Sequence, residues 1–276
     1  MAHFILSAFA DEISPDPVEQ IKVLEASKVK FIEFRSIYQT NVLDLSDTQI
    51  SDFKKLLDQH GFGLSAIGSP IGKIKADQPF EPHLIRFQRA IHLCGVFGIK
   101  NIRIFSYYLP EGDQWPKWKD EVFRRMEKKV ELAKSAGVVL LHENEHGIYG
   151  DSPDRVHELL SRFSCDHFHA AFDPANYVFC GYDPWEGWLK ARDYTTHFHV
   201  KDWVANEKHG CLAGTGGGMI PKIIADVQAR GYTGFATLEP HLLGGGPTGG
   251  NTGPELFPKA IEAFRAIVTK AGATYA

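Results

Sequence analysis

The chain has 276 residues, 43% of them hydrophobic and 23% charged, which is enough apolar material for a large core. Lys plus Arg number 30 against 34 Asp plus Glu, and the resulting net charge of −4 gives no general attraction to a phosphate backbone or an anionic membrane, so nucleic acid and membrane partners are not expected. Cys94, Cys165, Cys180 and Cys211 lie far apart without a CxxC pair and no apolar run reaches roughly 18 residues, so free thiols in a reducing, cytoplasmic setting are expected.

From the N-terminus, Met1 to Ser14 lacks a basic leader region and reads as a first strand, Phe4 to Ala10. Ser14-Pro15-Asp16-Pro17 then signals a helix start, followed by apolar Val18, Ile21 and Leu24 at helical spacing. A second strand, Lys30 to Arg35, leads to a helix carrying Ile50, Phe53, Leu56 and Leu57 that stops at Gly61. The alternation continues with strands Gly63 to Gly68, Asn101 to Phe105, Val138 to Glu143, His169 to Asp173, Thr196 to Val200 and Phe235 to Glu239. Helical patterns between and after them cover about 81–98, 116–136, 153–163, 184–192, 219–230 and 255–271. Gly61, Gly98, Gly137 and Gly231 punctuate helix-to-strand junctions.

Eight strand-helix units predict an α/β fold, a single (β/α)8 TIM barrel formed by one domain over residues 1–276. An open dinucleotide-binding sheet is disfavoured because the first strand runs into Ala10-Asp11-Glu12-Ile13, with no GxGxxG. The glycine-rich stretches 214–218 and 244–253 fall where strand-helix loops reach the active rim. Backbone N–H groups of the first could cradle a phosphate, although no Lys or Arg lies within it.

Four strand ends run straight into metal-capable side chains: Glu143 in LLHENE, Asp173 in AAFDPAN, His199 in HFHVKD and Glu239 in TLEPH. Strand alternation puts His197, His199 and Lys201 on one face, aimed into the barrel mouth, where branched aliphatic residues are the norm. Three carboxylates converging with an imidazole are strongly unfavourable without a cation, so a divalent metal site is expected. Glu145 shares the parity of Glu143 and competes with it as a ligand. Glu33 and Arg35 at the end of strand two, Lys201 beyond His199, and Ser69 and His241 at other strand ends are candidate substrate-binding residues. Each has a plainer alternative, such as a rim ion pair or a solvated lysine.

In this order and spacing, Leu141-x-Glu143-Asn144, Phe172-Asp173-Pro174-Ala175-Asn176, His197-Phe198-His199-Val200-Lys201-Asp202 and Leu238-Glu239-Pro240-His241 resemble the xylose-isomerase-like TIM-barrel superfamily of sugar and sugar-phosphate isomerases and epimerases, over nearly the whole length. The resemblance implies Glu143, Asp173, His199 and Glu239 as ligands of one divalent ion, Mn or Mg favoured by three oxygens to one nitrogen, with Zn or Co as alternatives. It also implies Glu143 and Glu239 as acid and base, acting through a metal-stabilised enediolate on a small carbohydrate or polyol. Two positions depart from the ketose epimerases. Asn176 stands where they have a histidine three residues past the metal aspartate, at a substrate-binding position. The stretch Lys201-Asp202-Trp203-Val204-Ala205 lacks their arginine. A metal-dependent dehydratase of the inosose or dehydroshikimate type would use much the same ligands. A hydrolase of the endonuclease IV type needs more ligands and a basic groove, which the acidic balance argues against. Homo-oligomerisation is left open.

Overall fold

The computed structural model describes residues 1–110, 114–246 and 249–276. Eight parallel strands close into a barrel: β1 (His3–Ala8), β2 (Phe31–Phe34), β3 (Gly63–Ile67), β4 (Asn101–Ile104), β5 (Val139–Glu143), β6 (Phe168–Phe172), β7 (Thr195–Val200) and β8 (Thr233–Leu238). They pair in chain order, and β8 returns to β1 with Ile5 opposite Phe235 and Ser7 opposite Thr237. All eight expected strands are present, with ends displaced by a residue or two. A short strand at Thr274–Tyr275 adds to β1 beside His3 and Phe4.

The helices are α1 (Pro17–Ala26), α2 (Asp47–His60), α3 (Glu81–Phe97), α4 (Trp115–Ala136), α5 (Pro153–Phe163), α6 (Pro174–Cys180), α7 (Pro184–Ala191), α8 (Ile220–Ala229) and α9 (Phe257–Lys270). Local chemistry sets their ends. Ser46 and Gln49 form a reciprocal capping box on α2, and Gly61 ends that helix at φ +64°, where a side chain would be strained. The other three punctuating glycines also take positive φ. Val18 departs from the expected apolar stripe: Asp16 caps α1 at the Val18 N–H, and the buried face comprises Gln20, Ile21 and Leu24 while Val18 is 58% exposed. The short helix α6 is absent from the sequence-based reading.

Most of the apolar core lies between the strands and the helix ring, where Trp188 packs against Phe172 and Phe198 at ring separations of 5.3 and 5.4 Å. Inside the barrel, Ala66, Leu141 and Ala171 form a small separate cluster. Beside it the interior turns polar: Glu33 pairs in register with Ala66 and His197 with Ala171, and both are buried, as is Thr237. That polar layer supports the mouth.

Behind the barrel wall, His83 on α3 is buried and accepts the Gly72 N–H at 2.8 Å. Burial, then the nearby charges of Lys129, Arg86 and Arg125, push its pKa down from 6.5 to about 3. The unfolded chain therefore binds a proton that the folded chain refuses, and His83's contribution to stability is lost as pH falls from about 6.5 towards 3. Urea unfolding should show the native protein losing about 2 kcal/mol more between pH 7 and pH 5 than the His83→Gln variant, whose amide oxygen can accept the same N–H. Equal losses in the two proteins would contradict this.

Candidate metal and substrate site

The last residues of the strands, or the first beyond them, bring four side chains to the mouth. Glu143 ends β5, Asp173 follows β6, His199 lies near the end of β7 and Glu239 follows β8. Register and parity put them together: Glu143 pairs opposite Ala171 and His199 opposite Thr237, so alternate residues face inward at one level. One ligand-capable atom from each of the four lies within 4.8 Å of the others, and all four residues are buried. Asp173 caps α6, its Oδ1 accepting the Asn176 N–H at 3.1 Å. Asn144 braces it by donating from Nδ2 to the Asp173 carbonyl at 2.7 Å and accepting the Asp173 N–H at 3.0 Å.

Positive charge has gathered around these carboxylates. Lys201 Nζ lies 2.6 Å from Asp173 Oδ2 and 3.5 Å from Glu239 Oε2. Arg35 Nη1 donates to Glu239 Oε1 at 2.7 Å, and Arg103 Nη1 to Glu143 Oε2 at 3.2 Å. His199 Nδ1 is 3.1 Å from Glu143 Oε1 and 3.7 Å from Glu239 Oε2. Burial pushes Glu143 up, but His199 and Arg103 outweigh it and hold the carboxyl below the usual range. Burial likewise opposes ionisation of Glu239, and Lys201, His241 and Arg35 overcome it. At Asp173 burial prevails over Lys201, and the carboxyl is pushed up to about 6. His199 loses basicity by burial and regains more from Glu143 and Glu33, ending well above an ordinary histidine.

The residues present suit a divalent cation. Asp173 Oδ2 and His199 Nδ1 are fully buried, meet only the charged groups Lys201 Nζ at 2.6 Å and Glu143 Oε1 at 3.1 Å, and each belongs to the four-residue cluster. Beneath them Glu33 Oε2 approaches His199 Nε2 at 3.3 Å and His197 Nε2 at 2.8 Å, the carboxylate backing that orients a metal-binding imidazole.

The structure divides the candidate substrate-binding residues. Arg35, Lys201 and His241 line a cavity of about 100 Å³ together with Glu143, Glu239 and Glu145. Glu33, expected to face substrate, does not line it: two residues before Arg35, it is fully buried against His197 and His199 at 2.8 and 3.3 Å. Ser69 is also diverted. Its hydroxyl donates to the Arg103 carbonyl at 2.6 Å and is fully buried, so it braces adjacent strands. Asn176 donates from Nδ2 to Glu143 Oε1 at 3.3 Å and to the Asn144 carbonyl at 2.8 Å, holding Glu143 in place. Glu145 pairs with Lys73 at 2.9 Å and stays outside the four-residue cluster, which separates it from Glu143.

Four contributors were missed in the sequence. Arg103 and Lys73 line the cavity. Asp11 accepts from Arg35 Nε at 2.8 Å, and Glu12 lies 3.2 Å from His241 Nε2. The inward parity of Arg103 within Asn101-Ile102-Arg103-Ile104 was available as a signal. The phosphate cradle also needs correction. Gly214, Gly216 and Gly218 turn their N–H groups onto the Asp202 carboxylate at 2.8, 3.0 and 2.8 Å, so an internal anion already fills that nest.

The sequence matches the family model described as "Xylose isomerase-like TIM barrel" over residues 21–267. No curated protein sequence matches the chain. Among solved structures, the chain is similar to a D-tagatose 3-epimerase-like protein at 16% identity, with a TM-score of 0.76 and coverage of 99% of this chain and 98% of that one. A xylose isomerase-like TIM barrel protein from Mycobacterium smegmatis, in complex with magnesium, gives 18% identity, a TM-score of 0.73 and coverage of 98% and 97%. The probable 3-DHS dehydratase AsbF from Bacillus anthracis gives 16%, 0.73, and coverage of 96% and 99%. At these identities the structural likeness bears on the fold.

The glycine-rich loop after β8, of which Pro247 and Thr248 lie outside the described residues, packs flush against the site. A Cβ on Gly250 would lie 1.3 Å from His241 Cδ2, whereas one on Gly245 would meet nothing within 4 Å. Gly250→Ala should therefore destabilise the protein by about 1–3 kcal/mol through the forced displacement of the ring or the loop. Gly245→Ala is the matched control, expected to melt within a degree or so of the parent in thermal denaturation.

Proposed function

The chain belongs to the xylose isomerase-like TIM-barrel family, and from that premise we propose that it is a divalent-metal-dependent isomerase or epimerase of a small carbohydrate. The observation that carries this reading is the convergence of the buried Glu143, Asp173, His199 and Glu239, with one ligand-capable atom of each within 4.8 Å of the others. These four would hold the ion, with Mg or Mn suited to three oxygens and one nitrogen. The magnesium complex of the Mycobacterium smegmatis relative supports that choice. When bound, the ion supplies positive charge that polarises a substrate carbonyl and eases removal of the neighbouring C–H proton.

The protein's own groups supply the rest. Glu143 and Glu239 are both held as carboxylates, and they enter the cavity from different strands. One can take the α-proton while the other, once loaded with a proton from solvent water, returns that proton from a different direction, which inverts the carbon; the first then releases its proton to solvent. If one glutamate carries the proton to the adjacent carbon, the outcome is aldose-ketose exchange. Arg103 and Asn176 fix the Glu143 carboxylate and Arg35 fixes Glu239, limiting each to a narrow range of approach. His241 and Lys201 remain at the cavity wall to meet substrate oxygens.

A dehydratase is the second reading, supported by Asn176 in place of the epimerase histidine and by the likeness to the probable 3-DHS dehydratase. Purified protein should take up about one equivalent of Mg or Mn. Asp173→Asn and His199→Ala should each weaken uptake by at least tenfold, and unchanged metal content in both variants would remove the site assignment. Incubating a panel of ketoses, keto-inositols and hydroxypyruvate in D2O should place deuterium on the α-carbon of the true substrate. Glu143→Gln and Glu239→Gln should slow that exchange by at least a hundredfold. NMR would show net loss of water instead if the dehydratase reading holds.

A further inference from the structure

We infer that the substrate carries a carboxylate, so that the natural ligand is a hydroxy or keto acid of polyol type and not a neutral sugar. This rests on the metal-dependent reading of the same site. One wall of the cavity is a run of like charges held together by aromatic rings. The guanidinium carbons of Arg35 and Arg103 lie 4.3 and 4.9 Å from the Phe9 ring centroid, and Arg103 and Lys73 lie 4.9 and 4.3 Å from that of Phe105. Rings between cations offset part of their repulsion, and the partly exposed Lys73 pairs with Glu145 at 2.9 Å, but the buried Arg35 and Arg103 still need anions.

Without an ion, the row and Lys201 are balanced by the carboxylates of the site. A divalent cation on Glu143, Asp173 and Glu239 would compete directly for the oxygens that Lys201 now holds and would share the Glu143 carboxylate with Arg103. Arg35 keeps Asp11 at 2.8 Å behind it and Lys73 keeps Glu145 at 2.9 Å, so the positive charge left short of a partner falls on Lys201 and on Arg103, which would share Glu143 with the ion. Arg103 Nε is also buried without a hydrogen-bond partner. A planar carboxylate matches a guanidinium edge. A phosphate is disfavoured because the glycine nest that would cradle one is taken by Asp202.

The test compares D-xylonate with xylitol, a polyol of equal carbon count lacking the carboxylate, by calorimetric titration of the Mg-loaded protein. Inorganic phosphate is a third arm. Xylonate should bind at least tenfold more tightly than xylitol, and Lys73→Met and Arg103→Met should each reduce that preference several-fold. Metal uptake by each variant, measured in parallel, reports that the ion site is intact. A protein that takes up no divalent ion overturns the underlying functional reading. One that takes up the ion but binds xylonate no better than xylitol overturns this inference alone. So does a preference that survives both substitutions, which assigns the carboxylate to the ion only, or phosphate binding more tightly than xylonate.

Discussion

Buried negative charge is the constraint around which the barrel mouth is organised. Glu143, Asp173 and Glu239 converge above Glu33, with Glu12 alongside, and all five residues are at most 3% exposed. Leaving such groups unpaired costs several kcal/mol each, so every one must be met by a cation, a proton or a hydrogen-bond donor. The protein uses all three. Lys201, Arg35 and Arg103 supply fixed charge, His199 takes up a proton more readily than an ordinary histidine, and Asn176 and Thr252 donate hydrogen bonds. A bound divalent ion would take over part of this work without any change of fold.

The supply of charge follows the order of the chain. The first half of the barrel contributes Arg35, Lys73 and Arg103 from β2, the loop after β3, and β4. The second half contributes Glu143, Asp173 and Glu239 from β5, β6 and β8. The lining of the cavity is thus divided into a cationic side and a mainly anionic one, and closure of β8 onto β1 brings the two together. Glu12 joins the halves physically: its carboxylate accepts the His241 N–H and the Thr252 hydroxyl, and its carbonyl accepts the Thr252 and Gly253 N–H groups. The first strand-helix connection thereby anchors the last loop.

The barrel and the level of its carboxylates were legible because each strand writes its inward face at every second residue, and the chemistry sits where an apolar run stops. Depth was not legible. Glu33 and Arg35 share parity, but only the stagger between β2 and β7 decides that one supports His199 from below while the other reaches the cavity. Arg103 escaped notice because an isolated arginine inside a strand has no motif around it. The same limit hid the fate of Asp202, which reads as the end of a strand motif and turns out to fold the glycine loop around itself. Helix α6 was hidden by its own beginning, since Asp173-Pro174-Ala175-Asn176 serves both as a strand end and as a helix start.

That double use of Asp173 has a counterpart in its two neighbours. Its Oδ1 is committed to the helix cap, Glu143 Oε2 to Arg103 and Glu239 Oε1 to Arg35, which leaves one oxygen on each carboxylate turned towards His199 or Lys201. The scaffold thereby sets denticity: three single oxygens and one nitrogen are what it can offer an ion. Protein donors alone would be too few to enclose an ion completely, and the rest of its surroundings would come from the cavity.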